Sequence, residues 1–158
     1  MITKRLIKML LVALLLTASG THVQAQSVKY IAKHIAIANQ LSEKYGIPAP
    51  VILAVAMVES ASGTGNIAKN LNNHFGIVGK NHLVNKDGTH KTRYKQYDSE
   101  MASYLDFCRL ISGKKFYMDL KDSDDCNAWV NAISQAGYST KPLEWRKKVL
   151  GTISANKL

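Results

Sequence analysis

The chain's apolar residues follow several rhythms, and each predicts a different element. Met9 to Leu16 is an unbroken apolar run, preceded by Lys4, Arg5 and Lys8. From Ser27 to about Tyr45, Ile31, Ile35, Ala38 and Leu41 recur at helical spacing. That predicts an amphipathic helix capped by Ser27 and stopped by Gly46. After Pro48 and Pro50, Val51 to Val58 is apolar on every side, as in a helix buried all round. The rhythm then changes. His82-Leu83-Val84 and Thr92-Arg93-Tyr94 flank Lys86-Asp87-Gly88, which reads as two short strands about a hairpin turn. Helical spacing returns after Ser99, again over about Asp124 to Ala136, and once more after Pro142. The expected class is α+β, mainly helical, with one small β-hairpin.

The N-terminal run is too short to anchor stably in a bilayer. With its basic start and the small residues Val23 and Ala25, it reads as a signal peptide over residues 1–25, cut before Gln26. Residues 26–158, about 133 in all, form one domain without repeats or linkers. The expected location is therefore exported, periplasmic or extracellular, with no stable membrane insertion after cleavage. The formal charge of +10 on the full chain falls to about +7 once the leader's three basic residues go. Such a surface suits an anionic partner. Export favours wall material over nucleic acid, for which no recognition motif is present. Cys108 and Cys126 are the two cysteines. They could close a loop of about 18 residues for ~3 kcal/mol, or remain free thiols, Cys108 lying on an apolar helix face. Neither they nor the five histidines show zinc-motif spacing, so neither metal nor cofactor is expected.

Glu59 is the candidate acid. It closes an apolar helix and precedes Ala61 to Gly65, a run of small residues. Burial and the negative end of a helix dipole both disfavour its ionised form, as a general acid near neutral pH requires. The alternative is a helix-end glutamate held by a lysine or arginine.

Larger segments bear on that choice. Tyr45-Gly46-Ile47-Pro48, Val58-Glu59-Ser60 and Asn72-Asn73-His74-Phe75-Gly76-Ile77 are followed by Tyr94-Lys95-Gln96-Tyr97-Asp98-Ser99 and Ala136-Gly137-Tyr138-Ser139-Thr140-Lys141-Pro142. In content and order this resembles glycoside hydrolase family 73, the bacterial β-N-acetylglucosaminidases of flagellar rod-cap and autolysin type. The resemblance spans nearly all of residues 26–158. It implies a lysozyme-like fold with a groove between a helical body and a small β-lobe, acting on the glycan strands of peptidoglycan as a monomer. Glu59 falls on the family's catalytic glutamate. Asn73 and Phe75 would help form the floor of the groove, Tyr138 would sit beside the reacting sugar, and Tyr97 would contribute to substrate binding. Two departures stand out. Ala61-Ser62-Gly63 lacks the bulky residue that family members often carry after the glutamate, and Lys141 replaces the usual Asp or Asn.

Glycoside hydrolysis usually takes two carboxyl groups. Asp87 is the one acidic residue between Glu59 and Asp98 and is the candidate base. Plain turn chemistry also accounts for an Asp-Gly pair. Asp98 is the runner-up, although it adjoins a helix start, and attack by the substrate's own N-acetyl group needs no second acid. A muramidase or lytic transglycosylase on the same fold, and a glycan-binding module without activity, remain open beside the glucosaminidase reading.

Overall fold

The computed structural model describes residues 4–84, 88–89 and 91–158, with side chains described from Gln24 onward. Seven helices occur in this part: α1 Lys4–Tyr45, α2 Ala49–Ser60, α3 Asn66–Leu71, α4 Glu100–Ser112, α5 Tyr117–Leu120, α6 Cys126–Gln135 and α7 Pro142–Asn156. α1 passes straight through Ser27, which is buried in the helix and caps nothing. Nothing between Thr21 and Gln26 is a proline or glycine that would stop a helix there. Among the described residues, no helix is long and apolar enough to cross a membrane.

α2 is the hub. It packs against α1, α4, α6 and α7, and Val51 to Met57 are all buried. Pro50 sits in its first turn, where a missing N–H costs nothing. Each large side chain on α2 contributes about 1.5–3 kcal/mol by leaving water. The loop into α2 turns at Gly46 (φ 62°), where a Cβ would collide with Asp122. α4 starts where the pattern placed it, with Ser99 accepting from the Ala102 N–H at 3.1 Å. Trp129 is wholly buried and bonded to the Ser123 carbonyl, an ordinary core residue. Cys108 and Cys126 are free thiols, Cys108 buried in the core.

The segment between α3 and α4 differs from the expected hairpin. Val78 and Tyr94 form an antiparallel bridge, and Gly79 N–H donates to Arg93 while Lys95 N–H donates to Ile77. The second stretch pairs near Thr92–Tyr94 as expected, but its partner at the bridge is 77–79, upstream of the expected His82-Leu83-Val84. Beyond the bridge the Asn81 side-chain amide donates to both the Thr92 and Tyr94 carbonyls. A side chain takes the place of backbone donors, and no regular strand forms among the described residues. The turn residues Lys86 and Asp87 lie outside the described residues.

Candidate active site

Glu59 owes its position to the abrupt end of α2. Ala61 and Ser62 take left-handed conformations (both φ 50°), followed by Gly63 at φ 78°. The N–H groups of Ala61 and Ser62 both close on the Met57 carbonyl. Three left-handed residues in succession tolerate little side-chain bulk, which accounts for the bare Ala61-Ser62-Gly63 stretch. Ser60 is buried beneath the turn, donating to the Ala56 carbonyl and accepting from Gly63 N–H. The chain therefore leaves at once, and the Glu59 side chain stays open to solvent on one side.

Its two oxygens have different surroundings. Oε1 accepts a 2.6 Å hydrogen bond from the Trp145 indole Nε1. Oε2 faces Gly76, where a Cβ would stand 3.4 Å away, with the Tyr94 ring beside it. Gly76 has φ 65°, so both its conformation and its closeness to the carboxyl favour glycine. An indole N–H can only donate. In the neutral acid Oε1 is therefore the carbonyl oxygen, and the proton sits on Oε2. The Glu59 pKa is raised, first by desolvation. The Trp145 bond and the positive charge of Lys148 pull the other way without cancelling it.

The carboxyl opens into a cavity of about 320 Å³, lined by Phe75, Gly76, Ile77, Leu110, Lys114 and Tyr138 among others. Among the described residues, Glu59 is the one carboxylate on its wall. Phe75 is buried on the floor, stacked on Phe107 at 4.3 Å and edge-on to Tyr104. Tyr138 donates its hydroxyl to the Phe75 carbonyl at 2.8 Å and packs against Trp145. Its pKa is raised by burial and by Glu59. Asn73 is buried behind this wall. Its amide donates to the Ile77 and Lys95 carbonyls, and its oxygen accepts from the Phe75 and Ile77 N–H groups. It therefore shapes the floor through the backbone that it holds.

Tyr97 is buried, and its hydroxyl donates to Asp106 at 2.8 Å. Lys95 reaches the same carboxylate oxygen at 2.7 Å. Burial would raise the Asp106 pKa, but these two donors outweigh it and hold the group below its ordinary value. The structure thus gathers Glu59, Phe75 and Tyr138 around one cavity and sets Asn73 behind its wall. Tyr97 is engaged with Asp106, and Asp87 lies outside the described residues. The sequence reading missed Trp145 and the position of the Tyr94 ring. Trp145 shares a helical stripe with Val149, and both are buried, so its inward orientation was legible. Its pairing with Glu59, 86 residues away, was not.

A helical body with a paired, irregular flap and one desolvated glutamate at the end of a central helix is the arrangement of lysozyme-like glycosidases. The glucosaminidase family model, described as mannosyl-glycoprotein endo-beta-N-acetylglucosaminidase, matches residues 35–158. The chain belongs to this family of glycoside hydrolases. It is 28% identical over 118 residues to exo-glucosaminidase LytG of Bacillus subtilis (strain 168), an alignment taking in 65% of this chain and 42% of that protein. The chain thus spans less than half the length of that relative. Among solved structures it is similar to the glycoside hydrolase domain of Salmonella typhimurium FlgJ, with TM-score 0.68, 23% identity and coverage of 83% and 88% of the two chains. It is also similar to the catalytic domain of the autolysin Auto from Listeria monocytogenes, with TM-score 0.68, 18% identity and coverage of 84% and 85%.

Proposed function

We propose that this protein is an exported endo-β-N-acetylglucosaminidase that hydrolyses the GlcNAc–MurNAc backbone of peptidoglycan, with Glu59 as its general acid. The observation that carries the reading is the Glu59 carboxyl itself: fixed at Oε1 by Trp145, its pKa raised by partial burial, and with Oε2 against Gly76 on the cavity wall. A bound glycan would place the oxygen of its scissile bond at Oε2 and take the proton there. Phe75 and Tyr138 supply aromatic surface for a sugar, Asn73 secures the floor, and Tyr97 acts from behind through Asp106. Residues 1–25 would serve as the export signal.

Asp87, which lies outside the described residues, is the base we assign, to activate water. A second route is favoured by one observation: no other described carboxylate lines the cavity. A single acid suffices if a neighbouring group of the substrate attacks the anomeric carbon, as in substrate-assisted hexosaminidases or in lytic transglycosylation to an anhydro sugar.

Digestion of purified peptidoglycan, borohydride reduction and mass spectrometry of the new ends test the reading. Reducing GlcNAc ends from the wild type, none from Glu59→Gln and a large loss in Asp87→Asn support the two-carboxyl glucosaminidase. Full activity in Asp87→Asn moves the mechanism to the substrate's own nucleophile. Reducing or anhydro MurNAc ends move the bond cut. Saturable wall binding with no new ends makes the protein a binding module.

A further inference from the structure

A second cluster lies on the far side of the 61–64 turn. His34 of α1, His74 of the loop after α3, and Glu100 at the start of α4 converge there, and their ligand atoms all lie within 4.8 Å of one another. Both imidazoles are at least 98% buried, and each Nε2 lacks a hydrogen-bond partner. His34 Nε2 faces Glu100 Oε2 at 3.3 Å, and His74 Nε2 faces Glu100 Oε1 at 3.5 Å.

The tautomer of His34 follows from its other nitrogen. Nδ1 lies 2.8 Å from the Tyr30 carbonyl, which can only accept, so Nδ1 carries the hydrogen and Nε2 of the neutral ring is a lone pair. His74 Nδ1 lies 2.7 Å from the Tyr30 hydroxyl. That hydroxyl also meets Tyr104 at 2.7 Å, so it can donate to Tyr104 while accepting from His74. In that arrangement the His74 Nε2 is a lone pair as well. Two lone pairs and a carboxylate then point at one small space.

We propose that His34, His74 and Glu100 form a zinc site. Ligands about 2.0–2.1 Å from a tetrahedral Zn²⁺ stand roughly 3.3–3.4 Å apart. Each Nε2 stands near that distance, 3.3 and 3.5 Å, from a different oxygen of Glu100, and a turn of the carboxylate would bring one oxygen to the ion. The second shell is of the kind that orients metal-bound histidines, with one ring held by a backbone carbonyl and the other by a hydroxyl. All three residues also line a cavity of about 380 Å³ together with Gln26, Lys29, Ser62 and Thr64, from which a water would complete the shell. The ion would tie α1, the 72–75 loop and α4 together beneath the turn that ends at Glu59. Lys33 is its competitor. Its ammonium lies 2.7 Å from both Glu100 oxygens on a largely exposed side chain, which can swing away when the metal arrives.

Titration of tag-free protein with Co²⁺ and Zn²⁺ tests this directly. The site predicts one equivalent of Co²⁺ with the intense visible bands of four-coordinate cobalt, displaced by Zn²⁺, and a Tm raised by several degrees in excess Zn²⁺. Glu100→Gln is predicted to weaken binding at least tenfold. Lys33→Met, which removes the competing charge at an exposed position, is predicted to tighten it severalfold. No saturable binding by the wild type, binding indifferent to Glu100→Gln, or weaker binding by Lys33→Met overturns the proposal. Should Glu100→Gln fail to fold, the direction of the Lys33→Met effect decides.

Discussion

Glu59 and Glu100, 41 residues apart in the chain, have opposite fates. Glu59 has one hydrogen-bond donor, and burial dominates, raising its pKa. Glu100 also meets a burial cost, but the hydrogen bond and charge of Lys33 oppose it, and its pKa is lowered. The same side chain thus favours its protonated form in one place and its charged form in the other. What differs is the ion pair: Lys33 lies 2.7 Å from Glu100, whereas Lys148 acts on Glu59 without a salt bridge among the described residues. The helix ends act in the same sense: Glu59 closes α2, at the negative end of its dipole, whereas Glu100 opens α4, at the positive end.

The largest effect that would break this contrast is on turnover. Glu59→Gln should lower kcat on peptidoglycan by about 10²–10⁴-fold, the usual worth of a general acid, without lowering Tm. The sign follows from linkage. A carboxyl whose folded pKa is raised destabilises the fold once it ionises, so removing the charge leaves Tm at pH 8 unchanged or higher. Glu100→Gln should do the reverse and lower Tm at pH 7, because it removes the partner of Lys33.

Asn73→Ala should come next. It leaves the Lys95 carbonyl and the Phe75 and Ile77 N–H groups without that partner, while the Ile77 carbonyl keeps the Lys95 N–H, costing about 3 kcal/mol, or roughly 10 °C in Tm by calorimetry. Trp145→Phe sharpens the comparison more finely. The indole bond favours the charged form of Glu59, so its loss should move the alkaline limb of kcat/KM upward while kcat falls about tenfold through lost orientation. The smallest effect belongs to Asp106→Asn. The depressed Asp106 pKa contributes stability that is present above the unfolded pKa and lost as pH falls through the folded one. A deficit of at most about 1 kcal/mol at pH 7 should therefore shrink in urea melts run below pH 4.

The contrast also marks what the sequence disclosed. The apolar run of α2 is a local signal and was enough to find the buried helix; with the small residues after it, it made Glu59 a candidate acid that the segment motifs then favoured. The segment motifs gave the family, because several matched in order. Trp145 and Tyr94 reach Glu59 across the fold, and no periodicity encodes such contacts. The His34–His74–Glu100 cluster was invisible for the same reason, its members lying 40 and 26 residues apart in the chain with none of the spacing of a metal motif. The flap was read as a hairpin because candidate strands flank the turn-like Lys86-Asp87-Gly88. The Asn81 amide, which interrupts the ladder, leaves no mark on that pattern.

The most direct test is the pH dependence of kcat/KM for release of reducing ends from peptidoglycan. If Glu59 is a proton donor kept neutral by desolvation, activity falls on the alkaline side with an apparent pKa above the ordinary glutamate value of about 4.3. That limb then moves to higher pH in Trp145→Phe. A limb at or below the ordinary value, or one that Trp145→Phe leaves in place, would contradict the assignment of Glu59 as the acid.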